Sequence, residues 1–416
     1  MNKYIFLLLL IPSVCFSAPV IDGDSGTLSH GNSYTVTSSG STFGSKATAA
    51  PLMWETFENA TVGQTISEAN ALWSDKGDSA LIYVGDSDNR NSLSTKNLDC
   101  SYSSNKEAWA NNLGFWTGSG RSVGYIEFWC KLSPNGGYLN PETVNYYQMK
   151  MARVTGWVNE NASTPYPTLS LFTWTDDLWP NDPPNGDTDT YWAMYADPTT
   201  NHHYTPNAIT DDITAFIANG YESPWVNITI QFDEGSYETN DAVITYTIGD
   251  VDGGIIETHT DTGFYWRTGF LDLGAVAEED YHVDAFAFHI YLDDEHDGPP
   301  YPTMYIDNIY ADNTYARVVI GDNSVYANCT HREIQIPTNW SANSVSFTVN
   351  QGSFNDGETA YVFVVDSDGS ASSGREITFS SLEQETVIET SGILKDSNSN
   401  TSMVKANVGC TILKVE

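Results

Sequence analysis

Apolar and polar positions alternate with a period of two along much of this chain. Tyr146 to Val154 sets Tyr147, Met149 and Met151 against Tyr146, Gln148 and Lys150. Trp225 to Phe232 sets Val226, Ile228, Ile230 and Phe232 against Asn227, Thr229 and Gln231. In Val283 to Leu292, Phe286, Phe288, Ile290 and Leu292 oppose Ala285, Ala287, His289 and Tyr291. Successive side chains leave a strand on opposite faces, so each run predicts a β-strand with one face in a core. Tyr125 to Leu132, Thr168 to Trp174, Tyr191 to Tyr195, Val243 to Ile248 and Met304 to Ala311 add further strands between turns. No amphipathic helix separates them, which predicts an all-β, antiparallel sandwich over residues 50–313.

The flanking segments share another style. Residues 20–46 hold a short strand, a glycine turn and the alternating Tyr34-Thr35-Val36-Thr37. Residues 315–379 continue it with the apolar Ala316 to Ile320, the alternating Ser344 to Val349, and the buried-looking Ala360 to Val365. Together they supply roughly 95 residues, the size of one small β-sandwich. The partition that follows is 1–17 as an export signal, 18–49 and 314–380 as two parts of the small domain, 50–313 as an insertion and 381–416 as a tail. An insertion of that length is a domain and not a loop. Thr411 to Val415 in the tail could pair onto a sheet edge, which would let the molecule self-associate.

Two resemblances sharpen this. Gly40-Ser41-Thr42-Phe43-Gly44, with Trp340, Asp356-Gly357 and Asp366-Ser367-Asp368-Gly369, resembles an IPT/TIG-type immunoglobulin-like domain. That family implies an adhesive or spacer module without catalytic residues. Trp54-Glu55-Thr56-Phe57-Glu58, Gly124-Tyr125-Ile126-Glu127-Phe128-Trp129 and Tyr305-Ile306-Asp307-Asn308-Ile309-Tyr310 resemble the concanavalin A-like (laminin-G-like) jelly roll and related carbohydrate-binding modules. The expected fold is therefore a jelly-roll sandwich inserted into a smaller immunoglobulin-like one. By the same resemblance, Glu58 and Asp307 would hold a structural Ca²⁺.

Charge removes several classes of partner. Lys and Arg total 17 against 54 Asp and Glu, a net charge of −37. Such a surface repels phosphate backbones and anionic lipid, so nucleic acid and membrane insertion are not expected. Lys3 followed by the apolar Tyr4 to Ile11 and small residues reads as an export signal cut between Ser17 and Ala18. The expected place is outside the cell or on its surface, with a bacterial type of signal. Cys100, Cys130, Cys329 and Cys410 are then an even set, and domain membership favours the pairs Cys100–Cys130 and Cys329–Cys410.

The polar faces carry the candidate chemistry. Gln148 and Lys150, with His289 and Tyr291, form hydrogen-bonding rows that suit either a solvated sheet face or a ligand-binding one. Flat aromatics such as Tyr146, Trp174 and Trp192 stack on sugar rings, and amides bind hydroxyls. The seven residues Tyr146, Gln148, Lys150, Trp174, Trp192, His289 and Tyr291 are the candidate glycan site. A hydrolase would need paired carboxylates across a cleft, and the E-x-D-x-E strand of jelly-roll glucanases is absent. A lyase needs a carboxylate-neutralising group, a base and an acid, and Gln148, Lys150, His289 and Tyr291 are the right types. The R-T/S-E and Q-I-H signatures of lyase families are missing. The leading expectation is a secreted, non-catalytic glycan-recognition or adhesion protein. A polysaccharide lyase and a structural surface or filament subunit are the alternatives. The acidity opposes an anionic glycan unless Lys150 and Arg153 are clustered.

Overall fold

A computed structural model describes residues 18–40, 42–77, 79–101, 107–113, 122–133, 148–155, 168–175, 190–197, 224–237, 239–250, 253–264, 282–283, 285–292 and 303–380. The export signal, the tail with Cys410, and Tyr146 lie outside them. The described chain is all-β and antiparallel, with one four-residue α-helix, Ile66–Ala69. None of its helices is long and apolar enough to cross a membrane.

Two sheets of the inserted domain face each other across one core. The six-stranded sheet runs in the order Thr190–Asp197, Thr168–Thr175, Gln148–Thr155, Ala285–Leu292, Glu107–Leu113, Trp73–Gly77. The eight-stranded sheet has Val226–Asp233, Val123–Ser133 and Thr303–Asp312 at its centre. The alternation explains this layering. Phe286 and Phe288 from the first sheet meet Phe128 from the second with ring centroids 5.8 and 5.4 Å apart. Val226, Ile228, Ile230 and Phe232 are all buried, while Thr229 and Gln231 between them stay half-exposed. Each buried aliphatic or aromatic side chain contributes about 1.5–3 kcal/mol by leaving water.

The segments on either side of the insert meet in a second, smaller sandwich. Ser33–Thr37 pairs with Ser344–Thr348 in a four-stranded sheet, with Tyr34 opposite Phe347 and Val36 opposite Val345. A second four-stranded sheet holds Arg317–Gly321 and Thr359–Val365. Val36, Phe43, Val318, Phe347 and Val362 share its core. The inserted domain begins and ends at one place, because its strand Met53–Glu55 pairs with Thr303–Asp312 through Ile309 opposite Glu55. Lys46 and Asp312, either side of this junction, form a buried ion pair at 2.5 Å.

A second buried pair joins the sandwiches. Arg90 of the insert lies over the Trp129 ring at 3.6 Å and bonds the buried Glu333 of the smaller domain. Glu333 also accepts from the Ser353 backbone N–H at 3.0 Å. Gly352, at φ +58°, leaves room for that carboxylate, since a Cβ there would sit 1.9 Å from the Glu333 carboxyl carbon.

The expected Cys100–Cys130 disulfide is absent, and both residues are free buried thiols. Thr303–Asp312 lies between their strands, with Cys100 opposite Met304 and Cys130 opposite Ile306. Two strand spacings and a two-residue offset put the Cα atoms about 12 Å apart, beyond the roughly 7 Å a disulfide spans. Cys329 is also a buried thiol, directed at the carbonyls of Asn323 and Val325.

Candidate functional site

Pairing registers decide which residues of the six-stranded sheet share a face. Ala287 stands opposite both Arg153 and Asn111, and Arg153 opposite Ser170. Tyr291 stands opposite both Lys150 and Glu107, and Lys150 opposite Phe172. Ala287 and Tyr291 are four apart on one strand, as Ser170 and Phe172 are two apart on another, so both rows belong to one face. Lys150 and Arg153 are three apart and would fall on opposite faces of a regular strand. The register slips between Leu171 and Phe172, and again between Phe288 and Tyr291. Met151 is the extra residue against Thr168–Thr175, and it is buried together with Ala152. That β-bulge restores Lys150 to the set of Arg153.

The same set takes in most of the expected site. Gln148 pairs with Trp174, which pairs in turn with Tyr191. His289 pairs with Trp109, one alternation from Tyr291. Trp192 is separated from this group, because it pairs with Thr173, which pairs with Met149. Those positions alternate with Leu171, the partner of buried Ala152, and so belong to the core-side set. Register thus brings Gln148, Lys150, Trp174, His289 and Tyr291 together and leaves Trp192 out. It adds Glu107, Trp109, Asn111 and Arg153. The alternation Glu107-Ala108-Trp109-Ala110-Asn111 is the sequence signal for three of these.

Groups of the protein itself surround Glu58 and Asp307, the pair expected to hold Ca²⁺. Both Glu58 carboxylate oxygens are engaged, by the Thr95 and Lys96 backbone N–H groups at 2.7 and 3.0 Å and by the Thr95 hydroxyl. The Lys96 ammonium donates to the carbonyls of Glu58 and Ala60 at 2.7 and 2.6 Å, so a cation of the protein's own already occupies these oxygens. Asp307 is fully buried, and burial pushes its carboxyl up to about 7 against the hydrogen bond from Ser94 and the field of Arg90. Among the described residues no three His, Cys, Asp or Glu side chains gather where they could hold a metal ion.

No protein-family profile matches the chain, and neither does any curated protein. Several solved structures are similar to it. Alginate lyase Aly36B is 10% identical, covering 64% of this chain and 98% of its own, with a TM-score of 0.41. The marine PL-14 alginate lyase from Aplysia kurodai is 12% identical over 61% of this chain and 97% of its own, with a TM-score of 0.36. The endo-beta-1,4-glucuronan lyase from the fungus Trichoderma reesei is 11% identical over 64% and 97%, with a TM-score of 0.31. The three structures named above are polysaccharide lyases, where a non-catalytic recognition protein was expected, and the lyase alternative is taken up below.

Proposed function

We propose that the protein is a polysaccharide lyase whose catalytic groups stand on the outward register set of the six-stranded sheet. The observation that carries this reading is the bulge at Met151, which sets Lys150 and Arg153 on one face with Tyr291 directly opposite Lys150. In a chain of net charge −37, that pairing of two cations is the arrangement an anionic polymer needs.

Elimination on a uronate asks for three things. The carboxylate beside C5 must be neutralised so that the C5 proton becomes acidic, and Gln148 with Lys150 or Arg153 supplies the donors. A base must take the C5 proton, and His289 has the right intrinsic pKa for it. The electron pair left on C5 forms the C4=C5 double bond as the C4–O4 bond breaks. Tyr291 gives its proton to the departing oxygen. No water is consumed, and each product pair contains one unsaturated sugar. Trp174 and Trp109 offer ring faces on which neighbouring sugar units stack.

The test is incubation of the full chain with a polyuronate and, separately, with a neutral glucan. Rising absorbance in the ultraviolet enone band is expected with the polyuronate alone. Lys150→Ala and Tyr291→Phe should each lower the rate about 10²–10⁴-fold, the usual loss for a positioned acid–base or charge-neutralising group. Unchanged rates in both variants would remove these residues from the mechanism. No enone from any polyuronate would remove the activity.

A further inference from the structure

The other outward face of the insert, on the eight-stranded sheet, carries a separate feature. Where it meets the smaller sandwich a cleft of about 210 Å³ opens. Arg317, Tyr326 and Arg332 form one wall, and Glu127, Asn227 and Gln231 lie on the other.

The cleft carries more positive than negative charge. Arg317 is 5% exposed, stacks over Tyr125 at 4.0 Å and donates to the Tyr315 carbonyl and the Tyr326 hydroxyl. Its Nε–H has no hydrogen-bond partner, an unusual state for a buried guanidinium. Arg332 donates to the Gly253 carbonyl from two nitrogens at 3.1 Å and lies 5.4 Å from the Tyr326 ring. Against these two cations stands one carboxylate, and it is already occupied. Glu127 accepts from the Tyr125 hydroxyl at 2.6 Å and from the Asn227 amide at 3.1 Å. Burial works to raise the Tyr326 phenol, yet Arg317 and Arg332 outweigh it and hold the phenol below its ordinary value. Among the residues lining the cleft two guanidinium groups thus face one carboxylate, in a strongly acidic molecule.

The rest of the lining is hydroxyl and amide. Thr247 and Thr258 face each other at 3.1 Å across adjacent strands, and half-exposed Thr229 and Gln231 stand beside them. Guanidinium groups recognise carboxylates, while a row of hydroxyls and amides recognises sugar hydroxyls. The volume is below the roughly 300–1,000 Å³ of sites for drug-sized ligands and suits one ring with its substituents.

We propose that this cleft is a second saccharide site, which takes one carboxylate-bearing sugar unit on the face of the insert away from the lyase sheet. The carboxylate lies against Arg317 and Arg332, and the ring hydroxyls lie along Thr247 and Gln231. The choice of a sugar over another small carboxylate rests on the polysaccharide reading above. Such a site would hold a polymer chain or its cleaved end while a different stretch occupies the sheet.

The test uses the full chain carrying Lys150→Ala, so that binding is read without turnover, with D-glucuronate and D-glucose as probes in calorimetric titrations. Glucuronate should bind in the millimolar range, with glucose at least about tenfold weaker. Adding Arg332→Gln should weaken glucuronate about tenfold or more, and Gln231→Ala, from the opposite wall, should weaken it several-fold. Gln231→Ala keeps the test decisive if Arg332→Gln fails to fold. Equal binding of the two sugars, no binding of glucuronate, or affinity indifferent to the foldable cleft variants would overturn the proposal. Enone formation by the wild-type chain is scored independently, so loss of either reading leaves the other standing.

Discussion

Asp99 shows how far burial alone can move a side chain in this fold. It is 6% exposed, accepts from the Asn97 amide at 2.5 Å, and has Asp86 and Asp88 nearby. Burial first, with those like charges adding to it, pushes its carboxyl up to about 6. A carboxyl raised above its unfolded value stabilises the fold while protonated. Its contribution is complete below the ordinary carboxylate range and is lost as pH rises through about 6. Asp99→Asn should therefore flatten the fall in thermal midpoint between pH ~4 and ~6, measured by unfolding scans against wild type. The cysteines give a second test at this scale. Cys100 and Cys130 are fully buried, and burial raises both thiols. Native protein should leave them unlabelled by a thiol reagent, and unfolding without reductant should expose both to labelling, as peptide mapping would show. Protection that survives unfolding until a reductant is added would contradict the free-thiol assignment.

Among the elements, strands that alternate without interruption were legible. Val226–Asp233 buries Val226, Ile228, Ile230 and Phe232 as the residue pattern indicates, with Asn227 buried beside them, and in Ala285–Leu292 Phe286 and Phe288 are buried together with Ala285 and Ala287 of the other side. Two kinds of information were not. Glu107–Leu113 and Trp73–Gly77 build one edge of the six-stranded sheet, yet each has a single Trp, the first adds only alanines and Leu113 to it, and both give little apolar contrast. Bulges are the other case. Nothing in Gln148-Met149-Lys150-Met151-Ala152-Arg153 announces that Met151 and Ala152 are buried in succession, because a bulge is set by the neighbouring strands. The disulfide expectation failed for a related reason, since sequence does not reveal that a strand lies between the two cysteines. The bulge makes a prediction of its own. Deleting Met151 removes the bulge and leaves Lys150 two residues from Arg153 on one side, whereas inserting an alanine between Lys150 and Met151 should move Gln148 and Lys150 to the opposite set, because a one-residue slip exchanges the faces of a strand. Enone formation should then fall at least about 10²-fold, as for Lys150→Ala, while a chain in which Met151 is replaced by Leu should keep most of its rate.

At the scale of the whole molecule, the insert is tied to the smaller sandwich by buried charges as well as by its two chain crossings. Lys46 with Asp312 pins the crossing, and Arg90 with Glu333 pins a loop of the insert onto the outer domain. Removing one member of such a pair leaves an uncompensated buried charge, at a cost of about 3–5 kcal/mol. Arg90→Ala also removes the stack on Trp129. Its denaturation should begin earlier by that amount, and the two sandwiches should melt apart where wild type melts as one; a single unshifted transition would show that the pair does not couple them. The two flanking segments share a style of short alternating strands that the middle of the chain lacks, and Ser33–Thr37 does pair with Ser344–Thr348. The faces proposed to carry chemistry were not legible, since they are fixed by register across strands distant in sequence.

If the outward set of the six-stranded sheet breaks polyuronates by elimination, the new chain ends record it. Mass spectrometry of the products formed in ¹⁸O-labelled water tests it most directly. Oligosaccharides ending in an unsaturated uronate are expected, with no label taken up, and they should be lost in Lys150→Ala. Saturated products that each carry one ¹⁸O, or a polymer left intact, would contradict it.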